Sequence, residues 1–419
     1  MAGAAGRVGG GARLTQALGG DALTRRLETA LAERTRANGE FFEAEAERLA
    51  RLCHRMAERF ARGGRLIAFG RSPAARSDAR HVAVEFVHPV IVGKRALPAI
   101  GMAGEGGALA EQVALAAEPD DIAIGFGADG DGGEAAAAIA LARERGCLTL
   151  AFAPAGAEWE FEPPGRDASI HQELVETLYH VLWELVHVFF DHRGLLEGRS
   201  ARPTHDTGAS SFLYPFLGEG EQDLEAVVGD VRRSVHAKAE EVGELREQTL
   251  TENGDELIAA ATGLRDDLDA GGCVLALGNG GSATDAMDVV ADFRRPPDPR
   301  WRPRRALDLT EDPAILTAIA NDIGTEAIFA RQVIAHAREG NTLLAISTSG
   351  NSANVIAALA EARARGLRTI AMVGYDGGRV AAERLADHVV VTRSEHIPRI
   401  QEAQASAYHL LRELVELAP

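Results

Sequence analysis

Two loops constrain this chain more than anything else in it. The first is Leu277-Gly278-Asn279-Gly280-Gly281-Ser282-Ala283-Thr284-Asp285; the second is Ser347-Thr348-Ser349-Gly350-Asn351-Ser352. Each follows an apolar, strand-like run (273–277 and 342–346) and precedes a helical pattern. Such a loop leaves backbone N–H groups free at a helix N-terminus, where the dipole favours an anion and hydroxyls add donors. One loop of this kind is equally an ordinary strand–helix turn with Ser or Thr as cap. Two in one α/β unit can converge on a single crevice.

The strand–loop–helix order runs through the chain twice. Residues 1–20, rich in Gly and Ala, are expected to form a disordered tail. From Leu23 to Phe60, apolar residues recur at threes and fours, which predicts helix over 21–62, with Asn38-Gly39 as a break. After Gly63-Gly64 come a strand at 65–69, a loop to Ser77 and a helix carrying His81 and Glu85. Strands are expected at 90–92, 99–101, 121–126 and 147–152, then a long helix over 170–190. Residues 194–220, rich in Gly, Ser and Pro, read as a linker. The second pass predicts helices over 222–252 and 255–269, the first Gly/Ser loop, and helices over 314–320 and 326–338. The second loop, strands at 369–373 and 389–392 and a helix over 397–417 complete it.

The passes correspond residue by residue. Gly63-Gly64 to Gly70 matches Gly271-Gly272 to Gly278; Gln172-Glu173 and Tyr179-His180 match Gln401-Glu402 and Tyr408-His409 at equal spacing. The expected architecture is therefore α/β: two doubly wound parallel-sheet, flavodoxin-like domains in tandem (21–193 and 221–419), with long helices bundled between them. The region 315–324 has no counterpart in the first pass.

Composition narrows the partners. A formal net charge of −18 argues against nucleic acid and anionic membrane surfaces, so an anionic ligand needs a local pocket of amides, hydroxyls and a few cations. No apolar run is long enough to span a bilayer, and residues 1–20 lack a signal-peptide core, so a cytoplasmic protein is expected. Cys53, Cys147 and Cys273 are scattered among apolar residues and read as reduced. Neither a P-loop nor a dinucleotide fingerprint is present, and no nucleotide cofactor is expected.

The motifs GNGGSATDAMDVVADF (278–293) and ISTSGNSANVIAALAEARARGLRTIAMVGYDGG (346–378), with Gln401 and His409 on the last helix, resemble the phosphosugar-binding SIS domain. More narrowly, they resemble the phosphoheptose (sedoheptulose 7-phosphate) isomerase family. The resemblance covers 222–417 closely and 22–192 more weakly. It implies an aldose–ketose isomerase acting on a small sugar phosphate through an enediol(ate). It also implies substrate-binding residues Asn279, Gly280, Ser282, Ser347, Thr348, Ser349, Ser352 and Gln401. A divalent metal, zinc in metal-binding members, is implied, as is a tetramer of SIS domains, which two chains of this kind would supply as a homodimer.

Each half departs from the family. In the second, Asp288 and Asp292 stand where the family has His and Glu. Their i, i+4 spacing keeps both on one helix face. In the first, His81, Glu85, Gln172 and His180 complete the implied metal set, but the phosphate loops have decayed. Pro73-Ala74-Ala75 occupies one loop, and Asp129 and Asp131 replace Ser349 and Asn351 in the other. Two arrangements follow. In one, a single site joins the metal ligands of the first half to the phosphate loops of the second, with Glu85 and His180 as acid/base groups. In the other, the second half works alone through Asp292 and His409. A different class, a non-catalytic SIS protein that senses a sugar phosphate or binds another protein such as a replication initiator, is the alternative. The arginines from Arg294 to Arg305 form a basic stretch that either meets the anion or is a solvated Pro-rich loop.

Overall fold

The computed structural model describes residues 19–91, 94–103, 107–127, 132–165, 167–192, 195–196 and 223–418. The expected tail lies almost wholly outside these residues, as do most of the 194–220 linker and both Asp129 and Asp131.

The first half runs α1 (Gly20–Ala61), β1 (Leu66–Phe69), α2 (Pro73–Val87), β2 (Ala99–Met102), α3 (Leu109–Ala116), β3 (Ile122–Gly125), α4 (Gly132–Glu144), β4 (Leu148–Ala151), β5 (Trp159–Glu160) and α5 (Ala168–Asp191). The second half runs α6 (Leu224–Asp269), β6 (Val274–Leu277), α7 (Gly281–Arg294), β7 (Ala306–Asp308), α8 (Pro313–Asp322), α9 (Ile328–His336) and β8 (Thr342–Ser347). It closes with α10 (Ala353–Ala364), β9 (Arg368–Gly374), α11 (Gly378–Ala382), β10 (His388–Thr392) and α12 (Ile397–Leu417).

Both sheets are parallel and five-stranded, in the orders β2-β1-β3-β4-β5 and β7-β6-β8-β9-β10. This is one topology twice, with the order reversing between β1 and β3 and between β6 and β8. The central strands are buried on both faces, as continuous runs such as Leu66–Phe69 and Val274–Leu277 require. Gly64 and Gly272 share one role. A Cβ there would lie 2.1 Å from Asp120 O and 1.9 Å from Gly340 O respectively, so only glycine lets each helix pass so close to its sheet.

Several expectations are corrected. α1 and α6 are continuous helices of 42 and 46 residues, unbroken at Asn38-Gly39 and Asn253-Gly254. Both Asn residues serve packing instead. Asn38 Nδ2 donates to Ala239 O at 2.8 Å, and Asn253 bonds the β10 backbone at Val391 through both its amide atoms. A Cβ on Gly254 would come within 3.0 Å of Leu27 Cδ2, so the glycine admits α1. Residues 90–91 form no strand, while the short strands β5 and β7 were not anticipated. The three cysteines are free, as expected.

α1 and α6 each straddle both cores. Leu23, Leu27 and Ala30 pack with the second sheet, whereas the later part of α1, including Phe41 and Phe60, packs with the first. Reciprocally, Val227, Val231 and Val235 of α6 lie in the first core and Leu257 and Leu264 in the second. α5 and α12 pack against each other in the middle and are buried nearly all round. That is why they carry buried Glu, His and Gln, which need partners in the interior. Among the described residues no helix is long and apolar enough to cross a membrane.

Candidate active site

β6 and β8 are neighbours at the point where the strand order reverses, and the two Gly/Ser loops leave their C-terminal ends. Gly280 turns the first loop at φ 58°, and Gly350 the second at φ 59°. A Cβ on Gly350 would lie 2.2 Å from Gly377 O. Asn279 and Asn354 exchange side-chain hydrogen bonds of 2.9 and 3.0 Å, tying the loops together. Ser347 Oγ and Ser352 Oγ stand 3.5 Å apart, and Ser282 is buried at the start of α7. Neither α7 nor α10 has a side-chain cap, so both helices present their first turn towards the crevice.

The corresponding end of α2 is closed. Pro73 at its first turn has no N–H, and Ser72 Oγ caps the helix by accepting from Ala75 N at 3.3 Å. Among the described residues, the pair of open loops, a cradle whose shape suits an anion, therefore lies in the second half.

The chemistry beside that cradle comes from the first half. α2 packs along α7 and brings His81 and Glu85 to its beginning. A Cβ on Gly281 would lie 2.6 Å from His81 Nε2 and 1.9 Å from Gln401 Nε2. His81 Nε2 is 3.3 Å from His180 Nε2, 3.2 Å from Gln401 Nε2 and 3.9 Å from Glu85 Oε1. All four residues are buried. His180 Nδ1 lies 2.9 Å from Glu402 Oε1, so its N–H donates to that carboxylate and Nε2 keeps its lone pair.

The two imidazole nitrogens at this point can share one proton or turn both lone pairs to a cation. The dimensions suit a cation: two nitrogens each about 2.0–2.1 Å from one tetrahedral ion stand about 3.3 Å apart. Gln401 Oε1 and Glu85 Oε2 are buried with no hydrogen-bond partner, and turning the Gln401 amide over would aim Oε1 at the same point. The donor set fits a divalent metal. Glu176 adds a further carboxylate, since its ligand atom lies within 4.8 Å of those of His81 and His180.

Burial governs the protonation here. It pushes Glu85 up to about 8, helped by the charges of Glu184 and Glu402. Burial lowers His180 to about 3, assisted by Arg399, and drives His81 well below its usual value, assisted by His180. Glu176 and Asp285 are both raised well above the carboxylate range, by burial first and then by neighbouring carboxylates.

The remaining expected residues lie elsewhere. Asp292 follows Ser282 by ten residues, about 15 Å along a helix. There it faces His409, with His409 Nε2 3.8 Å from Asp292 Oδ2. Ser77 donates to Asp288 Oδ1, and Tyr408 to Asp288 Oδ2 at 3.4 Å. Gln172 stands beside Asp288, whose carboxyl group it helps to hold down against burial. The amide next to His81 is thus Gln401 and not Gln172; the two last helices trade their glutamines. Burial raises Asp292 and takes Asp288 to about 7. His409 ends above its usual value because Glu173, 2.9 Å from Nδ1, outweighs burial.

Sequence reasoning singled out neither Glu173 nor Glu402 as a partner of the histidines, although both follow the glutamines in the repeated Gln-Glu pair. Most of the arginines between Arg294 and Arg305 are structural. Arg294 donates to Ala306 O, Arg300 pairs with Asp298, Arg304 with Asp269, and Arg305 donates to Gly271 O.

The SIS domain family matches residues 239–374. A phosphoheptose isomerase from Nitratidesulfovibrio vulgaris is 39% identical over 193 residues, which is 45% of this chain and 89% of that protein. Another, from Citrifermentans bemidjiense, is 46% identical over 147 residues, 35% of this chain and 76% of that protein. Among solved structures, the C-terminal domain of glucosamine-fructose-6-phosphate aminotransferase from Francisella tularensis covers 93% of this chain and 94% of that one, with TM-score 0.57 at 9% identity. That last likeness is one of fold, and it runs through both halves.

Proposed function

This chain belongs to the phosphoheptose isomerase family, and from that footing we propose that it is a sugar-phosphate aldose–ketose isomerase with one working site shared between its halves. The substrate we assign is sedoheptulose 7-phosphate, converted to D-glycero-D-manno-heptose 7-phosphate. The observation that carries this reading is Gly281, whose position at the mouth of the intact cradle abuts both His81 and Gln401.

In this reading Ser282, Ser347, Thr348, Ser349 and Ser352, with Asn279, Gly280 and the loop amides, hold the phosphate. The reacting end of the open-chain sugar is then fixed at a set distance. Glu85 moves the proton between the two carbons. Its Oε2, buried and unpartnered, is the atom left for that task when Oε1 faces His81. A carboxyl raised towards neutrality gives and takes a proton with little loss in either direction. His180 offers only Nε2 to the site, because Glu402 holds Nδ1. His81, His180, Glu85 and Gln401 would hold the metal, for which zinc suits a set of two imidazole nitrogens and two oxygens. When bound, the metal supplies electrophilic stabilisation of charge on the sugar oxygens.

The halves are taken as residues 21–193 and 221–419, joined through 194–220, and the assembly as a homodimer. α8 supports the latter: it is apolar in sequence yet buries no residue within the chain, with Ile315 and, just past its end, Ile323 exposed.

Turnover of sedoheptulose 7-phosphate by Glu85→Gln and Asp292→Asn proteins tests the shared site. Loss in the first with retention in the second supports it. The reverse would return the chemistry to the second half alone, and ligand binding with no turnover in the parent protein would favour the sensing class.

A further inference from the structure

Glu176 is a carboxylate of the His/Glu cluster with no task assigned in the proposed shared site. It lies on α5 four residues before His180, so both side chains leave the same face of that helix. Among the described residues, His81, Glu176 and His180 are the His, Cys, Asp or Glu groups whose ligand atoms all lie within 4.8 Å of one another. Glu85 approaches His81 but is not of that set. Resting on the shared-site reading, we propose that Glu176 is a further ligand of the metal, and the carboxylate that stays on the ion while Glu85 moves the proton.

The surroundings of Glu176 call for a cation. The residue is 3% exposed, and its Oε1 is buried with no hydrogen-bond partner. A carboxylate taken out of water is costly unless something compensates it. The charges that bear on it most are those of Asp285, Glu402, Asp78 and Asp288, all of its own sign. Arg246, a cation whose charge it feels, gives its hydrogen bonds to Asn38, Glu173 O and Thr177. An ion between Glu176 and the two imidazoles would satisfy the orphaned oxygen and offset the crowded negative charge. The dimensions allow it. Ligand atoms about 2.0–2.2 Å from one ion stand at most about 4.4 Å apart, so the three groups close on it with little movement.

The two copies differ at this point. The residue that corresponds to Glu176 in the second half, four before His409, is Ala405, packed in the apolar core. The carboxylate therefore accompanies the half that keeps His81 and His180. With Glu85 as the sole carboxylate on the ion, binding and proton transfer would compete for the same oxygen lone pairs. A second carboxylate separates the tasks. Glu176 supplies charge that holds the ion, and Glu85 keeps an oxygen for the sugar.

Zinc affinity of the full-length protein, measured by competition with a chromophoric chelator, tests the assignment. The parent protein is expected to bind one zinc per chain. Loss of an outer partner of a metal ligand costs about 10- to 100-fold in affinity, so Glu176→Gln, which keeps the shape and removes the charge, should cost more than about 100-fold. Asp285→Asn is the comparison: Asp285 is equally buried, with Oδ1 4.0 Å from the other ring nitrogen of His81, and its loss should stay within the outer-partner range. Glu85→Gln should lose turnover but keep zinc to within about tenfold. A Glu176→Gln protein that binds zinc no more weakly than Asp285→Asn would overturn the ligand assignment. A Glu85→Gln protein that loses zinc as fully as Glu176→Gln would overturn the separation of tasks. Either result leaves the shared site standing, whereas a parent protein that binds no zinc overturns the metal site and this inference together. If Glu176→Gln fails to fold, by its far-ultraviolet spectrum, Glu176→Asp, which draws the carboxylate back by one methylene, decides by the same comparison.

Discussion

His81 and Gln401, 320 residues apart in the chain, bring their Nε2 atoms to 3.2 Å. One comes from α2 and the other from α12, and Gly281 fits against both. A methyl group there would overlap two side-chain tips and no backbone. Gly281→Ala should therefore leave the fold intact while displacing both groups. A displacement near 1 Å can cost about 100-fold in rate, so turnover should fall by that order with little change in Tm. An unaffected rate would detach the cradle from the His/Glu cluster.

Glu402 does not face the cradle, yet it fixes the tautomer and orientation of His180. Outer partners of this type are worth about 10- to 100-fold in metal affinity. Glu402→Gln is expected to weaken retention of metal by that factor, read by elemental analysis after dialysis against a chelator. His81→Ala should remove the metal outright.

Ser349 and Ser352 are assigned to the phosphate and to nothing else. Removing one hydroxyl that bonds a charged group costs about 1.5–3 kcal/mol, so Ser349→Ala or Ser352→Ala should raise KM by about tenfold or more while kcat changes less. A fall confined to kcat would mean that these hydroxyls act on the reacting carbons.

Glu184 anchors an ion cluster between the halves. Burial alone would raise its carboxyl, but Lys238 and Arg399 outweigh it and hold the group below its usual range. The stability this supplies is present above the ordinary glutamate value of 4.5 and is lost as pH falls below it. Arg399→Met leaves Glu184 with Lys238 alone and takes from the buried Glu402 its paired guanidinium, and should cost about 3–5 kcal/mol at neutral pH, measured by urea unfolding. The penalty should shrink on acidification, as the carboxyls protonate.

Much of this was legible in the residues. Continuous apolar strands followed by Gly/Ser loops announce a parallel sheet, and the repeated Gln-Glu and Tyr-His pairs announce two copies. Asn38-Gly39 and Asn253-Gly254 misled because turn propensity is a local preference, and tertiary contacts at Ala239, Val391 and Leu27 outweigh it. β5 and β7 are too short for alternation to show. The exchange of Gln172 for Gln401 was hidden for a different reason. Two copies with the same motif give no local sign of which helix crosses to which site; only the packing of α2 on α7 decides it.

The crossing of α1 and α6 has a consequence for inheritance. Because each of these helices completes the core of the other half, neither half can be deleted or replaced alone. The chain is in effect a permanent heterodimer written in one reading frame. Its two copies are held at a fixed ratio of one to one and can no longer substitute for each other. A lesion in either half should therefore be recessive to an intact chain but never rescued by a surplus of the other half. On the proposed shared site, with the phosphate held by one copy and the His/Glu pair supplied by the other, fusion would make that division of labour irreversible.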